Sequence, residues 1–174
     1  MILVIMGGSC SGKTEFALNC REYGFEKVIT NTTRPRRKDD KEDSYHFLTV
    51  DEFKEKINNG EMIEYAMYND NYYGTSTDSL SKNCVIVLEP NGYKALKKLF
   101  PKEVIGILLD VSDGERLRRG LLRGDNEDII KSRIAEDKEL FNKDLLRITD
   151  YIFKDLTLED NKRIIEGYLG VFKS

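Results

Sequence analysis

The sequence predicts a three-layer α/β fold with a parallel core sheet and a small mixed-sheet lobe inserted into it. Three observations lead there. Short apolar runs at residues 2–6, 85–88, 104–109 and 151–153 alternate with helical stretches at 15–22, 92–100, 114–121, 127–141 and 158–169. Buried runs interleaved with amphipathic helices are the pattern of a parallel sheet covered on both faces. Residues 7–14, Gly-Gly-Ser-Cys-Ser-Gly-Lys-Thr, follow the first apolar run and precede a segment with helical spacing at Phe16, Ala17 and Cys20. The third observation is a break in rhythm. From 31 to 79 the residues alternate and turn aromatic, through Tyr45-His46-Phe47, Met62 to Tyr68 and Tyr72-Tyr73-Gly74.

The first run, Ile2 to Met6, carries no polar residue, as a central strand requires. The loop after it fits G-x-x-x-x-G-K-[ST] at every position, in the strand–loop–helix context that gives the pattern its meaning. Gly7, Gly8 and Gly12 free the backbone to bend, while the amides of Ser9, Cys10 and Ser11 and the helix N-terminus offer donors to an anion. Lys13 reaches the outer phosphates of a nucleoside triphosphate, and the Thr14 hydroxyl is the candidate ligand of a magnesium ion. In the inserted section a short helix is expected over 51–58, with Asp51 as its cap. The core is then 1–30 and 80–174, the lobe about 31–79, and a turn of little apolar surface at about 119–129, with Gly120 and Gly124, is a candidate lid.

Composition sets bounds. At 174 residues the chain makes one domain with one sizeable core. A net charge of -3 exerts no general pull on nucleic acid or anionic membrane. Against that background Arg34, Arg36, Arg37 and Lys38, around Pro35, form a local cationic cluster. Cys10, Cys20 and Cys84 are an odd set at spacings that suit no zinc site. With no signal peptide and no long apolar run, a reducing cytoplasm is the expected compartment.

The lobe motifs make chemical sense individually. Guanidinium forks and tyrosine hydroxyls bind the oxygens of a monophosphate dianion in fixed directions, and Arg34, Arg36, Tyr45 and Tyr73 supply them. A carboxylate accepts two adjacent N–H donors together, and Glu64 offers one in the strand pattern with Ile63 and Ala66. Its replacement by glutamine is expected to lower folding stability modestly. Arg116 and Arg118 read as solvent-facing helix charges, and His46 as a strand-face residue without acid–base duty.

Together these motifs resemble the guanylate kinases, in order and spacing, over about residues 1–165. Thr32-Thr33-Arg34-Pro35-Arg36, with Tyr45 nine residues after Arg36, is similar to the family's T-T-R-x-P-R…Y motif for the GMP phosphate. Ile63-Glu64-Tyr65-Ala66 looks like its guanine-binding segment, and Asn71-Tyr72-Tyr73-Gly74-Thr75 its N-x-Y-G-[TS] turn. The resemblance implies a P-loop kinase that converts ATP and GMP to ADP and GDP with Mg2+, as monomer or homodimer. It also implies that Thr30 and Thr75 offer hydroxyls to guanine O6, that Glu89 stands where an aspartate touches the guanine amino group, and that Arg119, Arg123 and Arg133 close over the transferring group.

Several positions depart from the pattern. The basic loop is one residue short: Arg36 keeps the Pro-Arg pair and the spacing to Tyr45, whereas Arg37 keeps the spacing from Arg34. Arg36 is taken as the second phosphate ligand, with Arg37 the alternative. Lys38-Asp39-Asp40 follows where glycine and glutamate are usual. Val87 replaces an aspartate near the metal, and Lys154 an asparagine near adenine. These departures keep a kinase for another (deoxy)nucleoside monophosphate in play. A non-catalytic interaction domain of the same family is the third reading, and the presence of Lys13 argues against it.

Overall fold

The computed structural model describes residues 1–36, 45–68, 70–155 and 157–169. In chain order, β1 (Ile2–Gly7) leads through the glycine loop into α1 (Lys13–Asn19), a 3-10 turn and β2 (Glu26–Lys27). The inserted section holds β3 (Asn31–Thr32), β4 (His46–Phe47), α2 (Val50–Asn58), β5 (Met62–Tyr68) and β6 (Asn71–Ser76). The chain then runs through β7 (Cys84–Val87), α3 (Pro90–Leu99), β8 (Val104–Asp110), α4 (Asp113–Leu122), α5 (Glu127–Leu140), α6 (Lys143–Ile148), β9 (Tyr151–Lys154) and α7 (Leu158–Leu169).

Five strands form the core sheet in the order β2-β7-β1-β8-β9, and every pairing in it is parallel. All six residues of β1 are buried. Its side chains divide by parity, as a period of two dictates. Ile2, Val4 and Met6 pack with Tyr93 and Leu96 of α3 and Leu145 of α6. Leu3 and Ile5 point the other way, onto Phe16 and Ala17 of α1 and Ile165 of α7. Helices on both faces of one sheet make the three layers. The second sheet, β4-β3-β6-β5, is mixed: β3 pairs with β4 in parallel and with β6 antiparallel, and β5 pairs antiparallel with β6.

One local expectation is corrected. The cap of α2 is Thr49 and not Asp51. Thr49 Oγ1 accepts the amide of Glu52 at 3.2 Å, and the Glu52 carboxylate accepts the amide of Thr49 at 2.7 Å. This reciprocal box satisfies two orphan donors at once, and it leaves Asp51 in the first turn, where its charge favours the helix dipole.

A polar knot around the buried Tyr93 ties α3 to the β8–β9 side of the sheet. Tyr93 is wholly buried, and its hydroxyl donates to the carbonyl of Ile148 at 2.6 Å. Asp150 accepts the amide of Gly106 at 2.7 Å and two contacts from Lys97 Nζ at 3.1 and 3.2 Å. Gly106 is dictated by the ring above it, because a Cβ there would lie 2.6 Å from Tyr93 carbons. Gly106→Ala should therefore destabilise the fold by about 1–3 kcal/mol through overpacking. Urea denaturation checks this, and an unchanged midpoint would mean that the ring moves aside freely.

Candidate nucleotide-binding site

The loop between β1 and α1 takes the backbone angles its glycines allow. Gly7 has φ 154° and Gly12 φ 93°, and Cys10 stands at φ 62°, a left-handed angle unusual for a residue with a side chain. A Cβ on Gly7 would lie 2.6 Å from Ser11 Oγ and 2.8 Å from the carbonyl of Leu109. Lys13 folds back over the loop, and its ammonium donates to the carbonyls of Gly7 at 2.7 Å and Gly8 at 2.8 Å. Burial pulls the pKa of Lys13 down, and the carboxylates of Glu89 and Asp137 pull it back. A cation held over bent backbone in this way is placed to meet an anion.

Two arginines of the lid region touch the loop. Arg119 donates from Nε to Glu115 at 2.8 Å and from Nη1 to the carbonyl of Ser11 at 3.1 Å. Arg123 pairs with Asp125 and reaches Cys10 Sγ at 3.6 Å. Arg133 lies on the wall of a small cleft shared with Cys10, Asp125 and Asn126. A larger hollow beside it is lined by Cys10, Gly12, Glu15, Arg118, Arg119 and Thr157 among others. The lid expected at 119–129 is mostly helix end and helix start, since α4 reaches Leu122 and α5 begins at Glu127.

The lobe gathers its own set. Arg34 is buried, and its guanidinium lies 5.5 Å from the Tyr45 ring and 5.7 Å from Phe47. Arg36 sits 5.2 Å from the same Phe47 ring, while Tyr45 packs edge-on against Tyr73. Phe47 is thus a shared aromatic platform under both cations, which the reading of the motif missed. The signal was there, because Tyr45 and Phe47 stand two residues apart on either side of His46, the spacing of one face in extended chain. Arg37 and Lys38 to Asp40 lie outside the described residues.

Glu64 stands opposite Thr75 in the β5–β6 ladder. Burial raises its carboxyl pKa, the neighbouring Thr75 partly offsets this, and Glu89 adds repulsion, while Thr75 Oγ1 itself is buried without a hydrogen-bond partner among the described residues. Gly74 pairs with Tyr65 and with Asn31, where a Cβ would strike the Glu64 carbonyl at 2.6 Å. Gly92 lets α3 approach, since a Cβ there would lie 3.0 Å from Glu64 Cγ. Glu89 opens to solvent at the start of α3, yet loss of water still raises its pKa against the pull of Lys13. Thr30, half-buried, accepts the amide of His46 at its carbonyl, 2.9 Å away. Among the described residues no lysine or arginine pairs with Glu64.

Arg116 corrects a second expectation. It is buried at 6% exposure rather than solvent-facing, and it donates from Nε to the carbonyl of Ser9 at 2.7 Å. Periodicity could not reveal this, because its partner Asp137 lies one helix away. Arg118 does face solvent, paired with Glu115. The acidic set offers no ready metal cage: among the described residues no three His, Cys, Asp or Glu side chains cluster to hold an ion. Val87 is half-buried against the Leu3–Ile5 face of the core and supplies no oxygen. Magnesium suits a donor set that keeps waters and takes substrate phosphates. With Thr14 in the first turn of α1, the residues fit an ion carried in with a nucleotide.

A parallel sheet with a Lys-bearing glycine loop at the end of its central strand defines a nucleotide-binding P-loop class. Comparison with known proteins gives the family. The guanylate kinase family model matches residues 1–169. A guanylate kinase of Lactococcus lactis is 34% identical over 96% of this chain and 87% of its own. One from Hydrogenovibrio crunogenus is 32% identical over 78% and 71%. The crystal structure of guanylate kinase from Anaplasma phagocytophilum shares the fold, with a TM-score of 0.67 at 24% identity, across 99% of this chain and 85% of that one. The chain belongs to the guanylate kinase family.

The desolvation of Glu64 reverses the expected sign of its contribution to stability. A carboxyl with a raised folded pKa binds protons that the unfolded chain has already lost, so its contribution declines as pH rises through that window. In the empty protein Glu64→Gln should melt at or above wild type near pH 7, and the advantage should vanish below the ordinary glutamate value of 4.5. Thermal melts across that range test this, and a lower melting temperature at pH 7 would show that the Thr75 contact outweighs burial.

Proposed function

We propose that this enzyme transfers the γ-phosphoryl group of ATP to GMP, giving ADP and GDP, with each substrate held by a separate structural unit. The observation that carries this reading is Glu64, a half-buried carboxylate with no lysine or arginine partner among the described residues, in a lobe that also bears the Arg34–Tyr45–Tyr73 cluster. Placed there, a purine with two adjacent donors satisfies it, and the paired guanidiniums take the monophosphate.

The triphosphate lies along residues 7–14, where Lys13 and the remaining loop amides meet its oxygens, those of Ser9 and Ser11 being taken by Asp137 and the carbonyl of Gly8. Lys13 exchanges the carbonyls of Gly7 and Gly8 for phosphate, a stronger charge-assisted contact. Arg34 and Arg36 neutralise the acceptor so that one of its oxygens can approach the γ-phosphorus. That oxygen forms the new P–O bond while the bond to the β-bridging oxygen breaks, and the electron pair leaves with ADP. Arg119, Arg123 and Arg133 surround the charge in flight. This chemistry depends on positioning and neutralisation and requires no general base. Thr14 and the substrate phosphates would hold Mg2+, which would supply positive charge against the charge of the phosphates. Thr30, Thr75 and Glu89 complete the guanine pocket.

No helix among the described residues is long and apolar enough to cross a membrane. All three cysteines are free thiols, and burial drives that of Cys20 up to about 12. These features suit the reducing cytoplasm to which we assign the enzyme.

Two measurements test the division of labour. Lys13→Ala should abolish turnover with GMP affinity nearly intact, whereas Arg34→Ala should raise the KM for GMP by about tenfold to a hundredfold. Turnover of Lys13→Ala within about tenfold of wild type would refute the phosphate-loop assignment.

Base choice is the sharper test. Adenine presents a lone pair at N1 and no 2-amino group, leaving Glu64 partly desolvated and unpaired. Sites of this kind reject the mismatched analogue by about 10⁴-fold. A coupled ADP-release assay over GMP, dGMP, AMP, CMP, UMP and dTMP should show turnover for the guanine nucleotides alone. Equal use of AMP would favour a kinase for another monophosphate.

A further inference from the structure

Ser9 is held at both ends of its own backbone by one ion pair. Its amide donates to Asp137 Oδ2 at 2.7 Å, and its carbonyl accepts Arg116 Nε at 2.7 Å. Arg116 Nη2 binds the same Asp137 oxygen. The side chains are 7% and 13% exposed, so neither charge is free in water. Asp113 adds a contact to Arg116 at 3.5 Å, and Lys138 binds Asp113 at 3.0 Å. Gly8 completes the arrangement, since a Cβ there would lie 2.4 Å from the Arg116 guanidinium carbon. The second glycine of the loop is thus required by the arginine beneath it, whatever it also permits toward a ligand.

Such a pair is an expensive way to fill space. Buried ions lose hydration, and well-packed apolar side chains are often no less stabilising. What this pair adds is geometry. Residues 7–12 include three glycines, and a chain of that kind loses much freedom when it is ordered around a ligand. A donor on the Ser9 carbonyl and an acceptor on its amide fix the peptide planes on both sides of it, next to the strained angle at Cys10. Arg116 belongs to α4 and Asp137 to α5, so the two helices flanking the lid region grip the loop at one residue.

We propose that Arg116 and Asp137 are positioning residues for ATP, a clamp that holds the phosphate loop in its binding shape before the nucleotide arrives. The proposal rests on the assignment of the loop to the triphosphate. Preorganisation of this sort strengthens binding by removing the ordering cost from the binding step. It acts on the donor and leaves GMP, held on the other sheet, alone.

The test compares Asp137→Asn, Arg116→Lys, Arg116→Met and the double variant Arg116→Met/Asp137→Asn in steady-state kinetics, with ADP titrated calorimetrically. Asp137→Asn keeps volume and an acceptor, and Arg116→Met keeps the apolar stem. Each should raise the KM for ATP and weaken ADP by about tenfold, with the KM for GMP within about twofold. The double variant should be no worse than the worse single, because the contacts work as a unit. Arg116→Lys, which keeps charge without the fork, should fall between wild type and Arg116→Met. If Arg116→Met does not fold, the isosteric Asp137→Asn decides. An Asp137→Asn enzyme with unaltered ATP and ADP affinity, or with both substrates weakened equally, overturns the clamp. Lys13→Ala run alongside separates the two ideas: a dead Lys13→Ala beside a normal Asp137→Asn refutes the clamp only, whereas an active Lys13→Ala refutes the loop assignment itself.

Discussion

The burial of β1 on both faces is the constraint from which the rest follows. A strand in the middle of a parallel sheet has no solvent face, so every side chain from Ile2 to Met6 must be apolar and find partners above and below. α3 and α6 meet one parity, and α1 and α7 the other. Because all the core strands run the same way, their C-terminal ends gather at one edge, where ligands of open α/β sheets bind. The glycine loop emerges at that edge from the best-anchored strand in the molecule. Rigidity below and permissive backbone above are two consequences of the same placement.

Charge in the cleft is arranged so that the empty protein is not at its electrostatic best. Lys13 contents itself with two carbonyls, Glu64 and Glu89 are both held above their ordinary pKa by lost water, and the lid arginines lean on nearby carboxylates or backbone. In the proposed function each of these groups exchanges its present surroundings for a partner on a nucleotide. The aromatic bed of Tyr45, Phe47 and Tyr73 keeps the lobe cations oriented while they wait.

How far the sequence could be read depended on how local each feature is. β1 and the phosphate loop were legible because period and motif lie within fourteen residues of the N-terminus. β3 and β4 were not, since two-residue strands carry no period and exist only through pairing with β6 and with each other. α6 is six residues long with one buried side chain, and its Asn142 cap is its main signature. The Thr49 cap was overlooked although Thr49 and Glu52 stand at the spacing of a capping box. The fork of Arg116 was beyond local reading, because its meaning lies in Ser9 and Asp137, 107 and 21 residues away.

The placement of the mixed sheet between β2 and β7 has a topological consequence. These strands are neighbours in the core and parallel, with Glu26 beside Cys84 and Lys27 beside Val85. Parallel neighbours cannot be joined by a tight turn, because the chain must travel from the end of one back to the start of the other. Here the whole inserted lobe, to which we assign the monophosphate, is that return path. It departs through residues 28–30 at the ligand edge and comes home through 77–83 at the opposite one. It is therefore no appendage that a deletion could remove cleanly, since excision would leave β2 and β7 with no route between them. A transplant from a relative would have to preserve two exits on opposite rims of the sheet, so specificity in this architecture is exchanged as an entire crossover or adjusted one side chain at a time.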